Sequence, residues 1–259
     1  MIVIKSPREI ALMKKAGELT AKVFEVVGPL VKPGVSTQYL SDMAEKVIVE
    51  GGGRAASKGY GGFPGAICVS VNECLVHGFP NPKRILRDGD IVSLDVVAEL
   101  NGYMGDACRT YAVGICPESK LRLIEKTKEC FKSALKVIRP GCHVGDISHA
   151  IEKTAREAGY SVTRLFTGHG IGSEMHEDPN IPCYGIEGTG PILKENMTIA
   201  VEPMVMEGSD QMRILGNGWE AVSRDGKPNA HYENTILITK DGYEILTLTK
   251  DERKEYGYE

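Results

Sequence analysis

Residues 91–106 of the chain read IVSLDVVAELNGYMGD. The run from Ile91 to Val97 has the apolar content of a buried strand, and Asn101-Gly102 is the strongest short signal for a two-residue hairpin turn. The stretch therefore predicts a β-hairpin in which Val97 lies opposite Asp106. The sheet that contains this hairpin decides the fold.

An acidic residue, Asp95, interrupts the apolar strand. An unpaired carboxylate in a buried strand would be strongly destabilising, so Asp95 needs a compensating partner. Strand alternation places Asp95 on the same face as Val97, which makes Asp95 and Asp106 diagonal neighbours that can converge on one cation. For an isolated pair, an exposed Asp106 and a hydrogen-bonded Asp95 would explain the pattern equally well.

Two predicted helices precede this hairpin. Ser6-Pro7-Arg8-Glu9 combines a capping serine, a proline at the first helical position and a glutamate at the third, which predicts a helix that runs to about Val27. An apolar face after Pro33-Gly34 predicts a second helix that ends at Gly51. The segments predicted to be strands are 65–78 and 91–113.

The same order of elements returns in the second half of the chain. Sliding the chain against itself by one constant offset aligns Pro33-Gly34 with Pro140-Gly141 and Glu45-Lys46 with Glu152-Lys153. We therefore predict an α+β fold of two related helix-helix-sheet halves, because strands that follow helix pairs need a shared sheet to bury both apolar faces. Since no linker-like segment divides the halves, residues 1–259 are predicted to form one domain.

The repeat adds two more buried acids. Its offset carries Asp95 onto Glu202, which lies in another apolar run from Thr198 to Pro203. Glu233 precedes the apolar segment 234–238, the predicted return strand of a second and longer hairpin. Four inward carboxylates bring about four negative charges, close to what two divalent cations neutralise.

Histidines supply candidate nitrogen ligands and acid-base groups. In Gly168-His169-Gly170-Ile171-Gly172 the alternating glycines let the backbone approach closely, so His169 is predicted as a fifth ligand; alone, it would more often be a turn residue. His77 and His176 are candidates to bind a carbonyl or move a proton, or else are hydrogen-bonded core histidines. The remaining histidines are predicted to be structural: His143 at a helix start, His149 in a helix and His231 in a loop.

Composition excludes several classes of protein. With 42% hydrophobic and 25% charged residues, the chain has the content of a globular protein, unlike a collagen, a coiled coil or a disordered chain. A formal charge of -4 does not indicate a nucleic-acid or anionic-membrane partner. Seven cysteines without a Cys-x-x-Cys pair, no secretion signal and no apolar run near about 18 residues predict a soluble protein of the reducing cytoplasm.

Together the motifs resemble those of type I methionine aminopeptidases, over nearly the whole chain. The resemblance implies the pita-bread fold, with two pseudo-symmetric halves around a central antiparallel sheet, in a single catalytic domain without an amino-terminal extension. The segment between His169 and Glu202 is too short for the helical insertion of the type II branch. The similar motifs are Val76-His77-Gly78, the spacing of Asp95 and Asp106, GHGIG with His176, Glu202-Pro203-Met204 and Tyr232-Glu233-Asn234-Thr235.

The resemblance also implies how two divalent cations would be held. Asp95 would chelate one cation, His169 and Glu202 would bind the other, and Asp106 and Glu233 would bridge the two. Carboxylate-rich sites with one imidazole accept cobalt, manganese, iron or zinc, so the sequence does not select the native metal.

The implied activity is hydrolysis of the peptide bond after the initiator methionine of nascent polypeptides when the second residue is small. A water held between the cations would attack the carbonyl. His176 would stabilise the carbonyl oxygen, His77 would contact the substrate backbone, and Glu202 would pass a proton to the leaving amine. The resemblance alone implies a monomer, and transient ribosome contact would suit such a substrate, although no basic tail supports it.

The implied methionine pocket departs from the family pattern at several positions. Tyr60, Cys68 and Trp219 match that pattern. All departures keep the pocket small and largely apolar, which suits a thioether side chain. They are Phe63 for a common tyrosine, Met175 for phenylalanine, Ser57 for cysteine and Val97 for threonine.

Two alternative functions are open at this point. A proline-specific aminopeptidase or dipeptidase shares the fold and the five ligands, but generally carries an additional amino-terminal domain. A non-catalytic peptide-binding or ribosome-associated module of the same fold would have lost its metals, and the intact ligand set argues against it.

Overall fold

The computed structural model describes residues 1–258, and its longest strands form the hairpin predicted from residues 91–106. Within the described residues the α-helices are α1 (Pro7–Val27), α2 (Thr37–Glu50), α3 (Glu118–Leu135), α4 (Val144–Glu157) and α5 (Lys250–Glu255). The strands are β1 (Arg54–Ala55), β2 (Cys68–Val71), β3 (Cys74–Val76), β4 (Ile91–Leu100), β5 (Tyr103–Ala112), β6 (Ser161–Val162), β7 (Thr167–Gly170), β8 (Glu177–Pro182), β9 (Thr198–Val201), β10 (Met204–Met206), β11 (Met212–Ile214), β12 (Ala221–Ser223), β13 (Asn229–His231), β14 (Glu233–Ile238) and β15 (Tyr243–Ile245).

The hairpin of β4 and β5 has the predicted register. Asn101 and Gly102 occupy the two-residue turn with φ angles of 54° and 81°, the left-handed conformation that a type I′ turn requires. Val97 lies opposite Asp106. Both predictions are confirmed, and the alternation of β4 sends Asp95 and Val97 to the same face of the sheet.

The opposite face of this hairpin packs against the first two helices. Val92, Leu94 and Val96 of β4 are fully buried in one core with residues of α1 and α2. Burial of each such side chain contributes about 1.5–3 kcal/mol. A slip of one residue would turn all three outward, so their burial fixes the register and holds Asp95 on the other face.

The two halves of the chain meet in a central antiparallel sheet with the strand order β1-β4-β5-β14-β9-β7-β8. Strand β14 joins the halves, since it pairs with β5 through Glu233 and Cys108 and with β9 through Asn234 and Val201. Acidic residues from both halves are therefore carried by neighbouring strands at the centre of one sheet.

The internal repeat is visible in the backbone. Helices α2 and α4 have the same length, and their bounds differ by the offset predicted from the sequence. An isolated bridge between Ser36 and Ile85 recurs between His143 and Ile192 at the same offset. The prediction of two related helix-helix-sheet halves in an α+β fold is confirmed.

The second helix pair covers the second half of the sheet. Phe131 of α3 and Ile147 of α4 pack with Ile199 of β9 and Ile236 of β14 in one buried core. Each half thus buries one face of its hairpin under its own two helices. The opposite faces of both hairpins stay available for the acidic residues.

The predicted helix boundaries are confirmed at three ends. The Ser6 hydroxyl accepts from the Glu9 N–H and the Glu9 carboxylate accepts from the Ser6 N–H, so α1 begins with the predicted capping box. Helix α1 ends at Val27, and α2 ends at its cap residue Gly51. Among the helices of residues 1–258, none is long and apolar enough to cross a membrane.

A buried arginine ties the C-terminal helix α5 to the centre of the sheet. Arg109 of β5 forms an ion pair with Glu252, with 2.5 Å between Nε and Oε1. It also donates to the carbonyl oxygen of Glu233 and to Oδ1 of Asn234. Burial raises the pKa of Glu252, but the Arg109 guanidinium outweighs it and holds that pKa at about 2. These contacts fix the backbone of β14 at Glu233.

The close packing of α1 generates a stability prediction. A Cβ on Gly17 would lie 2.3 Å from the backbone oxygen of Leu246, so Gly17→Ala must push α1 away from its neighbours. We expect a net loss of about 1 to 2 kcal/mol in the free energy of unfolding, because overpacking outweighs the better helix propensity of alanine. Denaturant unfolding measures it. The control Gly242→Ala has open space around its Cβ and should be nearly neutral. Equal stabilities of the two variants would contradict the close packing of α1 at Gly17.

Candidate active site

Every site residue predicted from the sequence lines one cleft of about 390 Å³ on the acid-bearing face of the central sheet. The two halves contribute jointly, since two of the acids come from the first hairpin and two from the second. The lining residues that the sequence predicted are Tyr60, Phe63, Cys68, His77, Asp95, Asp106, His169, Met175, His176, Glu202, Trp219 and Glu233, with Ser57 and Val97 beside them.

The four carboxylates share a largely buried floor. Asp106 and Glu233 are almost fully buried, and among residues 1–258 neither Asp106 Oδ1 nor Glu233 Oε1 has a hydrogen-bond partner. Burial raises the pKa of Asp106, Glu202 and Glu233 well above the usual range, and acidic neighbours raise those of Asp106 and Glu233 further. Burial likewise raises the pKa of Asp95 to about 6.

This donor set fits divalent cations. Mutually close, buried carboxylates with unpartnered oxygen atoms repel one another and cost free energy, and bound cations remove both penalties. Oxygen-rich sites with an added imidazole are typical of Mn, Fe, Co and Zn sites in proteins. The residues present therefore fit the metal that the sequence predicted.

His169 presents a lone pair to the acids. Its Nδ1 lies 2.8 Å from the carbonyl oxygen of Gly170, which only accepts, so Nδ1 carries the ring proton and Nε2 is free to bind. Burial lowers the pKa of His169 to about 4, which keeps the ring neutral. Nε2 lies 3.6 Å from Asp106 Oδ2 and 3.6 Å from Glu202 Oε1.

The glycines around His169 allow the neighbouring strands to approach closely, as predicted. Strand β7 lies between β8 and β9 in the sheet. A Cβ on Gly168 would lie 2.5 Å from the Ala200 oxygen, and one on Gly170 would lie 2.1 Å from the Asp178 oxygen. Larger residues at either position would push β7 out of the sheet and move His169 away from the acids.

His77 and His176 lie above the acids in the cleft. The His176 ring centroid is 4.5 Å from that of His169, and its Nδ1 is 3.0 Å from the Tyr60 hydroxyl. His77 follows β3 in a left-handed conformation with φ of 60°, a strained state for a residue other than glycine. Burial lowers the pKa of His77 to about 4 and also lowers the pKa of His176, so both rings are neutral near pH 7.

A small apolar pocket adjoins the acids. The rings of Phe63 and Trp219 meet edge to face with centroids 5.4 Å apart, and His77 meets Trp219 at 5.8 Å. Cys68 and Met175 are buried in the same wall. Of the residues that depart from the family pattern, Phe63, Met175 and Val97 give this part of the cleft apolar side chains, and Ser57 adds a hydroxyl.

The predicted loop position of His231 is wrong. His231 ends strand β13 and does not lie in a loop, and its side chain is almost fully buried in the cleft. Its Nε2 lies 3.4 Å from Glu202 Oε2 and 3.7 Å from Glu233 Oε2. Its position two residues before Glu233 on an alternating strand was the signal that could have found it.

Comparison with known proteins identifies the family. The model of metallopeptidase family M24 matches residues 11–240. The chain belongs to metallopeptidase family M24. Among its relatives, methionine aminopeptidase 1 of Bacillus subtilis (strain 168) is 46% identical over 95% of this chain and 99% of that protein. As an M24 metallopeptidase the chain is a hydrolase that uses divalent metal.

Solved structures of M24 enzymes share the fold of this chain. The crystal structure of methionine aminopeptidase from Thermotoga maritima is 45% identical, covers 96% of this chain and 100% of its own, and has a TM-score of 0.94. The prolidase from Pyrococcus furiosus is 25% identical, covers 96% of this chain and 66% of its own, and has a TM-score of 0.78. These likenesses confirm the predicted pita-bread fold and the resemblance to type I methionine aminopeptidases.

The buried acids generate a prediction for metal content. Asp106→Asn removes one negative charge and replaces a carboxylate by an amide, which is a weaker metal ligand. The purified variant should therefore lose most of its bound metal and its turnover while it stays folded. Elemental analysis of the purified protein, with circular dichroism as the check of folding, measures this. Asp241→Asn, at an exposed position in the loop after β14, is the matched control and should keep its metal. Full metal content in folded Asp106→Asn protein would contradict the assignment.

Proposed function

We propose that this chain is a metal-dependent methionine aminopeptidase that removes the initiator methionine of nascent polypeptides. The observation that carries the proposal is the direct contact between two parts of one cleft. Four acids and an imidazole form its floor, and the apolar pocket of Phe63, Cys68, Met175 and Trp219 forms its wall. A pocket of this size and polarity suits an unbranched thioether side chain.

The proposal includes two divalent cations. Asp95 would hold one, His169 and Glu202 the other, and Asp106 and Glu233 would bridge them. The short distances from His169 Nε2 to Asp106 and Glu202 support the ligands proposed for the second cation. When bound, the cations would supply Lewis acidity and a lowered pKa of water. Manganese, iron, cobalt and zinc all suit these ligands.

The histidines would act on the scissile peptide bond. Because the Tyr60 hydroxyl can donate to His176 Nδ1, the ring proton is left on Nε2, which would donate to the carbonyl oxygen as it gains negative charge. His77, which packs edge to face against Trp219 and Phe166, would contact the substrate backbone beyond that bond.

Glu202 would move the proton that hydrolysis requires. It would accept a proton from the attacking water as the water oxygen bonds to the carbonyl carbon. It would then deliver that proton to the amide nitrogen as the carbon–nitrogen bond breaks, so the products are free methionine and a shortened chain.

We further propose that residues of both halves act as one catalytic domain and that the second substrate residue must be small. Ligands from both halves meet in one cleft, so neither half would suffice alone. Leu165, Phe166 and His77 line the cleft and would crowd a branched or long second residue. Monomeric state and transient ribosome contact stay predictions of the sequence.

Peptide cleavage tests the proposed function. Release of free methionine from Met-Ala-Ser should be rapid, should stop when a chelator removes the metal and should return when Mn or Co is added back. Met-Leu-Ser should be cleaved at least about 100-fold more slowly, which corresponds to about 2.7 kcal/mol in the transition state. Preferential cleavage of Ala-Pro would favour a proline-specific peptidase, and binding of Met-Ala-Ser without any cleavage would favour a non-catalytic module.

The role of His176 has a separate test. His176→Ala should lower kcat by about 100-fold or more, the scale of losing an oxyanion donor, while metal content stays normal. His149→Ala, a substitution in α4, is the control and should leave both quantities unchanged. If His176→Ala purifies without metal, His176 is a ligand and the proposed role is wrong.

A further inference from the structure

The imidazole of His231 points into the acidic cluster, and the proposed mechanism gives it no role. Only 2% of the residue is exposed, and within residues 1–258 its Nε2 is a buried nitrogen with no hydrogen-bond partner. A buried polar atom without a partner destabilises the fold, because it has lost its hydrogen bonds to water without replacement. Such an atom aimed at two carboxylates indicates a ligand that satisfies all three groups.

The spacing around His231 Nε2 is that of atoms around one cation. It lies 3.4 Å from Glu202 Oε2 and 3.7 Å from Glu233 Oε2. Two ligand atoms about 2.1 Å from the same tetrahedral cation lie about 3.4 Å apart. A direct hydrogen bond to either carboxylate would bring the nitrogen to about 2.7–3.2 Å.

The same spacing surrounds His169, the histidine that the family resemblance makes a ligand. Its Nε2 lies 3.6 Å from one oxygen each of Asp106 and Glu202. The Glu202 carboxylate thus stands between two imidazoles, with Oε1 toward His169 and Oε2 toward His231. Three ligand atoms of Glu202, His231 and Glu233 lie within 4.8 Å of one another, as do those of Asp106, His169 and Glu233.

The backbone of His231 is held firmly enough to present a ligand. Its N–H donates to Thr110 Oγ1 at 2.9 Å, and the Thr110 hydroxyl donates back to the His231 carbonyl at 2.8 Å. His231 also pairs with Met204 across the neighbouring strand β10. The backbone that carries the ring is therefore held from two sides, as a preorganised ligand requires.

We infer that His231 is a sixth metal ligand, a second imidazole nitrogen on the cation that Glu202 and Glu233 share. The inference rests on the proposed function only for the presence of divalent metal in this cleft. A second imidazole makes the site softer, so affinity should shift from manganese toward cobalt, iron or zinc.

Proton NMR of the protein loaded with Co(II) alone tests the inference without an activity assay. Each imidazole on paramagnetic Co(II) gives one strongly shifted N–H resonance that disappears in D₂O. The wild-type protein saturated with Co(II) should show two such resonances, from His169 and His231. His231→Gln should show one, and titration calorimetry should show one Co(II) binding event weakened at least about tenfold.

The control is His149→Gln, which changes a histidine of α4 and should keep both resonances. A single resonance in the wild type, or two in His231→Gln, would overturn the inference and make His231 a neighbour of the acids that does not bind metal. If His231→Gln fails to fold, the number of shifted N–H resonances in the wild-type protein still tests the inference. In that case His169→Gln should keep the His231 resonance. Methionine release by the wild type is measured separately, so two resonances without release would refute the proposed function and leave the ligand assignment intact.

Discussion

The mutual repulsion of four buried carboxylates is the constraint on which the rest of the structure depends. Asp95, Asp106, Glu202 and Glu233 lie on the inner face of one sheet, where burial raises the pKa of every one of them. Such a cluster is tolerated only where cations neutralise it and where the surrounding fold is stable enough to hold it together. The apolar faces under the two helix pairs supply that stability.

The internal repeat brings such a cluster into one sheet. Each half contributes a hairpin whose outer face is anchored by helices, and β14 joins the hairpins by pairing with both β5 and β9. Arg109 then fixes β14 at Glu233 from the side opposite the cleft through the Glu233 carbonyl. The chemistry therefore lies at the junction of the halves, where neither half could assemble it alone.

Much of this arrangement could be predicted from local sequence. The turn at Asn101-Gly102 fixes the register of the first hairpin and so places Asp95. The constant offset between the halves then predicts Glu202 as its equivalent in the second half. For His231 the only local signal is its position two residues before Glu233. Its burial depends on pairing between β13 and β10, strands that no short turn connects. The separate strand pairing of β14 with β5 is a long-range contact of the same kind, and local patterns do not encode it.

We propose that the acids and imidazoles of this cleft hold two divalent cations between the halves of the fold. Anomalous diffraction at the manganese or cobalt edge, from crystals grown with that metal, tests it most directly. We expect two anomalous peaks in the cleft, with Asp106 and Glu233 touching both. One peak, or peaks that avoid these two carboxylates, would contradict the claim.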